Sequence, residues 1–376
     1  MLRRTRAFPV LALLIVAGLF GAACSDDDSG DDSSSGDDSE EASGSSQSDG
    51  GTLAAVVDRG SLNCGVNNSV PGFGFETEDG TFEGFDIDFC KAVAAAVLGD
   101  ADAVEYVALT PEQRFPSLAS GEIDVLIRNT TWTSTRDGAE GASFVTTTFY
   151  DGQAMMVPAA SGVTSIDALA GATICLTAGT TTEQNLADRM AGIQHTPQTF
   201  EENSLVQEAF LAGTCDAWTS DRSQLAGIRS NWPADQGGPQ SLTILDETFS
   251  KEPLGPAVVD GDSEWFDVVN WVVLATIEAE ELGVTSENID QMLESDDPAI
   301  RRFLGQPVDV EGDQTVVDHG FGVDNDFTVD VIRAVGNYGE IFDRNLGPDT
   351  PLQQTRAGTL NALYTDGGLL YSPPFR

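Results

Sequence analysis

The sequence predicts an α/β fold made of two lobes, with a ligand cleft between them and two chain crossings that join them. Three observations carry this expectation. Strand and helix patterns alternate as β-α-β-α-β through residues 61–127, and the same alternation restarts after Tyr150. A chain of 376 residues, 40% hydrophobic, is also long enough to fill two cores.

In chain order, Arg3, Arg4 and Arg6 precede an apolar run over residues 7–20, then Gly21, Ala22, Ala23 and Cys24. A basic start, a short apolar stretch and small residues describe an export signal over residues 1–23, too short to span a bilayer comfortably. The ending resembles a bacterial lipobox, with Gly21 where leucine is usual, so Cys24 is the expected lipidated N-terminus; cleavage without lipid is the alternative. Residues 25–50 hold ten acids and no base among Ser and Gly. Such a segment buries too little apolar surface to order itself, so a tether is expected over residues 24–51.

The first lobe begins with a strand over residues 61–66. A helix over 84–98 follows, with Phe85, Phe89, Val93 and Val97 at helical spacing, then a strand over 104–107. A helical turn at 111–120 leads to Ile123, Val125 and Ile127, which alternate as in a third strand. After Tyr150 come strands at 154–157, 173–176 and 216–219, with helices near 165–170, 181–190 and 204–212. Two long helices are expected at 263–282 and 326–345. The domains therefore read as 52–152 and 255–376 for one lobe and 153–254 for the other. Crossings are expected near 151–155 and 250–256, the second stiffened by Pro253 and Pro256.

The charge excludes one class of partner. With 18 Lys+Arg against 61 Asp+Glu the formal charge is −43, so phosphate backbones are repelled and nucleic-acid binding is excluded. With Cys24 set aside, Cys64, Cys90, Cys175 and Cys215 remain, an even number in an exported chain, where disulfides are permitted. Spacing alone leaves three pairings open, and buried free thiols as the alternative. No C-x-x-C pair exists and the two histidines, His195 and His319, are isolated, so no metal and no cofactor is expected.

Five ordered stretches carry a family resemblance: GFDIDFCKAVAAAV at 84–97, SGEIDVLIRNTTWTSTRDGA at 120–139, AGTTTEQNLAD at 178–188, SKEPLGPAV at 250–258 and GNYGEIFDRNLG at 336–347. Over residues 53–376 the chain resembles the extracellular solute-binding proteins of polar-amino-acid ABC transporters, and within them the general L-amino-acid-binding subgroup. The resemblance implies a type II periplasmic-binding-protein fold, disulfides Cys64 to Cys90 and Cys175 to Cys215, and a monomer. The ligand it implies is a free L-amino acid of broad range, passed to a permease whose ATPase supplies the energy.

A free amino acid is a zwitterion, so a cleft that removes it from water must offer a cation and an anion. The resemblance assigns Arg136 to the ligand carboxylate, where a guanidinium fork suits two parallel bonds, and Asp221 in WTSD to the ammonium. It places Asn129, Thr131 and Thr181 as supporting contacts, with Thr180 or Thr181 also suited to capping the helix that follows. Val70 falls where relatives carry a stacking ring and Asn67 where basic-ligand binders carry an acid, which implies a neutral pocket. Arg114 falls near an arginine of acid-binding relatives; as a residue of a helical turn it also reads as exposed. Phe73 and Phe75 read as packing residues, and Asp86 with Asp88 as carboxylates that cap a helix start and favour its dipole.

Catalysis finds no motif: G-x-S-x-G, H-E-x-x-H and G-x-x-x-x-G-K-[ST] are all absent. The expectation is a binder, not an enzyme. Cyclohexadienyl dehydratases share the resembled fold, so an enzyme and a ligand-sensing lipoprotein are the alternatives.

Overall fold

A computed structural model of the chain describes residues 51–376. The expected signal segment, Cys24 and nearly all of the acidic tether lie outside the described residues. The first described element, the Gly51–Arg59 helix, has no counterpart in the sequence reading; it buries Leu53 and Val56.

Two five-stranded sheets organise the fold. In the first, Leu62–Val66 runs parallel to Val104–Ala108 and to Val125–Leu126. Ala257–Val259 then pairs antiparallel with Val125–Leu126 and with Ala142–Phe144. In the second, Thr173–Thr177 runs parallel to Thr196–Phe200 and Ala217–Asp221, and Gln153–Pro158 with Leu242–Ile244 complete it antiparallel. The expected parallel order holds at each sheet's start. The antiparallel strands arise where the chain enters or leaves a lobe.

Between the sheets, Phe149–Asp151 pairs antiparallel with Glu252–Leu254, so two crossing strands form a ribbon with Glu252 opposite Asp151. The ribbon's hydrogen bonds join the two crossings to each other.

Each sheet buries both faces. In the second, alternate residues sort to opposite sides: Met156, Cys175 and Trp218 pack in one cluster, while Met155, Val157, Ile174 and Ala217 pack in the other. That alternation is the period-two rule of strands. In the first lobe, Phe73, Phe85, Phe149 and Tyr338 pack edge-to-face beneath the Phe85–Leu98 helix. Of the three disulfide pairings open to the sequence, the structure holds Cys64–Cys90 and Cys175–Cys215, each within one lobe.

Three local expectations need correction. The helix expected over 326–345 is two helices, Phe327–Val335 and Tyr338–Asn345, because Gly336 turns to φ +80° and Asn337 caps the second. Asn337 accepts from the Glu340 N–H while Glu340 accepts from the Asn337 N–H, a capping box visible in the N-x-x-E spacing. The third strand spans only Val125–Leu126, and Ile123 packs on the other face, with Phe115 and Leu118. Asp86 and Asp88 cap nothing: Asp86 accepts from the Asn129 N–H at 2.6 Å, and Asp88 accepts from Arg344 and Asn345.

Candidate binding cleft

The carboxyl ends of strands from both sheets converge on a small polar cavity. Its position, outside the strand ends of two α/β sheets, is where such folds place ligands. The lining is polar throughout except for Pro111, and includes Asn129, Thr131, Arg136, Thr181 and Asp221.

Arg136 lies in the short Ser134–Ala139 helix, 7% exposed, its Nη1 donating to the Thr131 carbonyl at 2.8 Å. The Phe115 ring supports it, 5.6 Å from guanidinium carbon to centroid. Asp221 ends the Ala217–Asp221 strand in the other lobe, 6% exposed, and among the described residues its carboxylate accepts no hydrogen bond. Burial pushes its carboxyl well above the usual carboxylate range, and the nearby Asp151 and Glu252 push it further, against the pull of Arg136 and Arg114. Both residues border the cavity and no ion pair joins them, so each is available to a guest.

Asn129, in the left-handed region at φ 29°, accepts from Asn67 Nδ2 at 3.1 Å and donates to Gln224 Oε1 at 3.2 Å across the cleft. Asn67 is 1% exposed and stands behind Asn129, outside the lining. Val70 is fully buried in the first lobe's core, also outside the lining, because the neighbouring backbone packs it against that core. Neither capping role expected for the threonines is filled: Thr180 donates to the Thr177 carbonyl, and Thr181 donates to Glu252 Oε2 at 2.8 Å.

Arg114 is 3% exposed, which overturns its reading as an exposed helix residue. All three of its nitrogens are engaged: Nε with the Pro111 carbonyl at 2.9 Å, Nη1 with Thr130 Oγ1 at 3.4 Å, and Nη2 with the Gly179 carbonyl at 2.9 Å. The last bond joins the two lobes. The expectation of a neutral pocket is corrected as well. Arg114, Arg128 and Arg136 all border the cavity against Asp221 as the acid in the lining.

Glu252 lies in the SKEPLGPAV stretch but is not among the site residues the sequence predicts. On the crossing ribbon and 1% exposed, it accepts four hydrogen bonds. Thr131 Oγ1 at 2.6 Å and Thr181 Oγ1 at 2.8 Å reach Oε2 from the two lobes; Asn185 Nδ2 at 2.7 Å and Ser250 Oγ at 2.5 Å reach Oε1. With their protons given to Glu252, both threonine oxygens keep lone pairs for a donor in the cleft. Arg128, Asn203 and Gln224 were missed too; a polar residue in a polar chain gives no local signal of facing a cavity.

Among the described residues no group of three or more His, Cys, Asp or Glu could hold a metal ion, and no helix is long and apolar enough to cross a membrane.

Comparison with known proteins adds to this geometry. The model of the bacterial extracellular solute-binding proteins, family 3, matches residues 62–291. The chain is 47% identical over 327 residues to the general L-amino acid-binding periplasmic protein AapJ of Rhizobium johnstonii, covering 86% of this chain and 93% of that one. It is 47% identical over 328 residues to the glutamate/glutamine/aspartate/asparagine-binding protein BztA of Rhodobacter capsulatus, with 86% and 93% covered. A solved periplasmic binding protein from Brucella ovis with glutathione bound superposes with a TM-score of 0.81 at 43% identity, over 87% of this chain and 99% of that one.

Proposed function

The chain belongs to the bacterial extracellular solute-binding proteins, family 3, and from that membership we propose that it is the substrate-binding component of an amino acid ABC importer. It captures free L-amino acids over a broad range and hands them, unaltered, to a permease whose ATPase drives transport. The observation that carries the reading is the placement of Arg136 and Asp221, opposite charges on opposite lobes, both buried and both bordering one polar cavity. An α-carboxylate on Arg136 and an α-ammonium on Asp221 would make the ligand the bridge that holds the lobes together. Thr131, Thr181 and Asn129 complete the grip, with Asn67 orienting Asn129, while Arg114 lines the site without holding the ligand's poles and Val70 only packs in the first lobe's core.

The lobes divide as 52–152 with 255–376 against 153–254, and the protein acts as a monomer. The basic start, apolar run and Cys24 support export, lipid attachment and residence on the outer face of the cytoplasmic membrane, with the acidic tether giving reach. Cys24→Ala should release the protein from membranes without changing affinity; membrane association that persists would dismiss the anchor.

Calorimetric titration with a panel of L-amino acids, followed by mass analysis of the recovered ligand, tests the main reading. Binding with the ligand recovered intact is expected, and Arg136→Ala or Asp221→Ala should each weaken it by about 2–5 kcal/mol, since either leaves a desolvated charge unpaired. A chemically altered ligand would replace a binder with an enzyme.

A further inference from the structure

Arg128 is a buried cation in the cleft whose terminal nitrogens have no hydrogen-bond or ion-pair partner among the described residues. It lies just beyond the Val125–Leu126 strand and is 6% exposed, and its Nε donates to the Leu109 carbonyl at 2.8 Å. Arg114 differs, with all its nitrogens engaged.

Arg128 borders two spaces at once: the cavity between Arg136 and Asp221, and an adjoining pocket. Asn203 borders both as well, as the first residue of the nine-residue Asn203–Leu211 helix. That helix carries no side-chain cap, since Glu202 before it makes none, so its first N–H groups have no side-chain acceptor at the N-cap. Asn203 Oδ1 accepts from Thr177 Oγ1 at 2.8 Å and from Gln224 Nε2 at 2.7 Å. Its Nδ2 is a further donor with no acceptor among the described residues. Glu201 and Glu202 border the outer pocket from exposed positions, where water weakens but does not remove their pull. Asp86 from the protein side and Glu202 from the outer pocket act on the Arg128 charge through space, but neither forms an ion pair or hydrogen bond with it.

An unpaired guanidinium, an amide N–H₂ and an open helix N-terminus together make a donor set without a resident acceptor. We propose that Arg128 and the start of the Asn203–Leu211 helix form a subsite for the distal carboxylate of a dicarboxylic L-amino acid whose α-groups occupy Arg136 and Asp221. This rests on the amino-acid-binding reading above and adds the residue that sets preference for charge within a broad range.

L-glutamate and L-glutamine differ at the distal group by charge with little change in shape, so the pair isolates the subsite; L-alanine reports on the α-site alone. All three are titrated into the full chain and into its Arg128→Gln and Arg128→Lys variants, with thermal unfolding recorded for each. Arg128→Gln should lower L-glutamate affinity at least tenfold more than that of L-glutamine or L-alanine, and Arg128→Lys should recover part of the difference. Equal losses for all three, or undiminished L-glutamate binding, would overturn the subsite and leave the amino-acid site standing. If the unmodified chain binds none of the three, the underlying reading falls and the subsite with it.

Discussion

Gly227 of the second lobe lies against the carbonyl oxygen of Pro71 in the first: a Cβ added at position 227 would stand 2.3 Å from that oxygen. Real Cβ contacts do not come so close to backbone, so the lobes reach this separation only because residue 227 has no side chain. Gly227→Val should therefore hold the cleft ajar. Amino acid affinity is expected to fall at least about tenfold, about 1.4 kcal/mol, with little change in thermal midpoint. Titration beside small-angle scattering checks it, and full affinity in a variant of unchanged radius would mean closure does not need the contact.

Glu252 is the acceptor for Thr131, Thr181, Asn185 and Ser250 at once. Glu252→Ala leaves these donors without their acceptor, at a cost of about 1–3 kcal/mol for each that stays buried and unpaired. Since water will reach some of them, a net destabilisation of about 3 kcal/mol in chemical denaturation is expected. Glu252→Gln keeps one carbonyl oxygen as acceptor and should lose less. Equal stability of all three proteins would show that the ribbon does not depend on this carboxylate.

Asp221 carries a carboxyl raised well above the usual range, chiefly by burial. An incoming ammonium favours the ionised form, so binding should expel a proton wherever the free cleft holds one. Affinity is expected to fall as pH is lowered, and binding heat to depend on the ionisation enthalpy of the buffer. Asp221→Asn should abolish that dependence along with most of the affinity. Proton release unaltered in the variant would assign the effect to another group.

Asp86 is raised to about 7 from 3.8, first by burial, against the bond from Asn129 and the charge of Arg128. The folded chain therefore keeps a proton that the unfolded chain loses above about pH 4. The contribution to stability is fully present below the unfolded value and is lost as pH rises towards 7. Asp86→Asn, which can still accept from the Asn129 N–H, should flatten the stability curve over that interval. Parallel curves for the two proteins would contradict the assignment.

How much of this was legible in the chain varies by residue. The apolar spacing of Phe85, Phe89 and Val93 and the restart after Tyr150 marked helices and strands, because periodicity is written over a few adjacent positions. The capping box at Asn337 and Glu340 was equally local and was overlooked. Arg136 and Asp221 stood out through the stretches around them, and the structure sets both on the cavity. Arg114 and Val70 were less tractable, since a side chain's burial depends on what packs over it.

The amino-acid sequence by itself determined the alternating elements, the two lobes and an acid excess that turns away nucleic acid, for each follows from neighbouring residues or from a sum over all of them. The tertiary structure decided which charges meet. Thr131 and Glu252 are 121 positions apart and share a hydrogen bond. Among the described residues, the terminal nitrogens of Arg128 go without a hydrogen bond because no distant segment brings them an acceptor. A buried polar group is defined by groups that arrive from elsewhere in the chain, and no local pattern records their arrival.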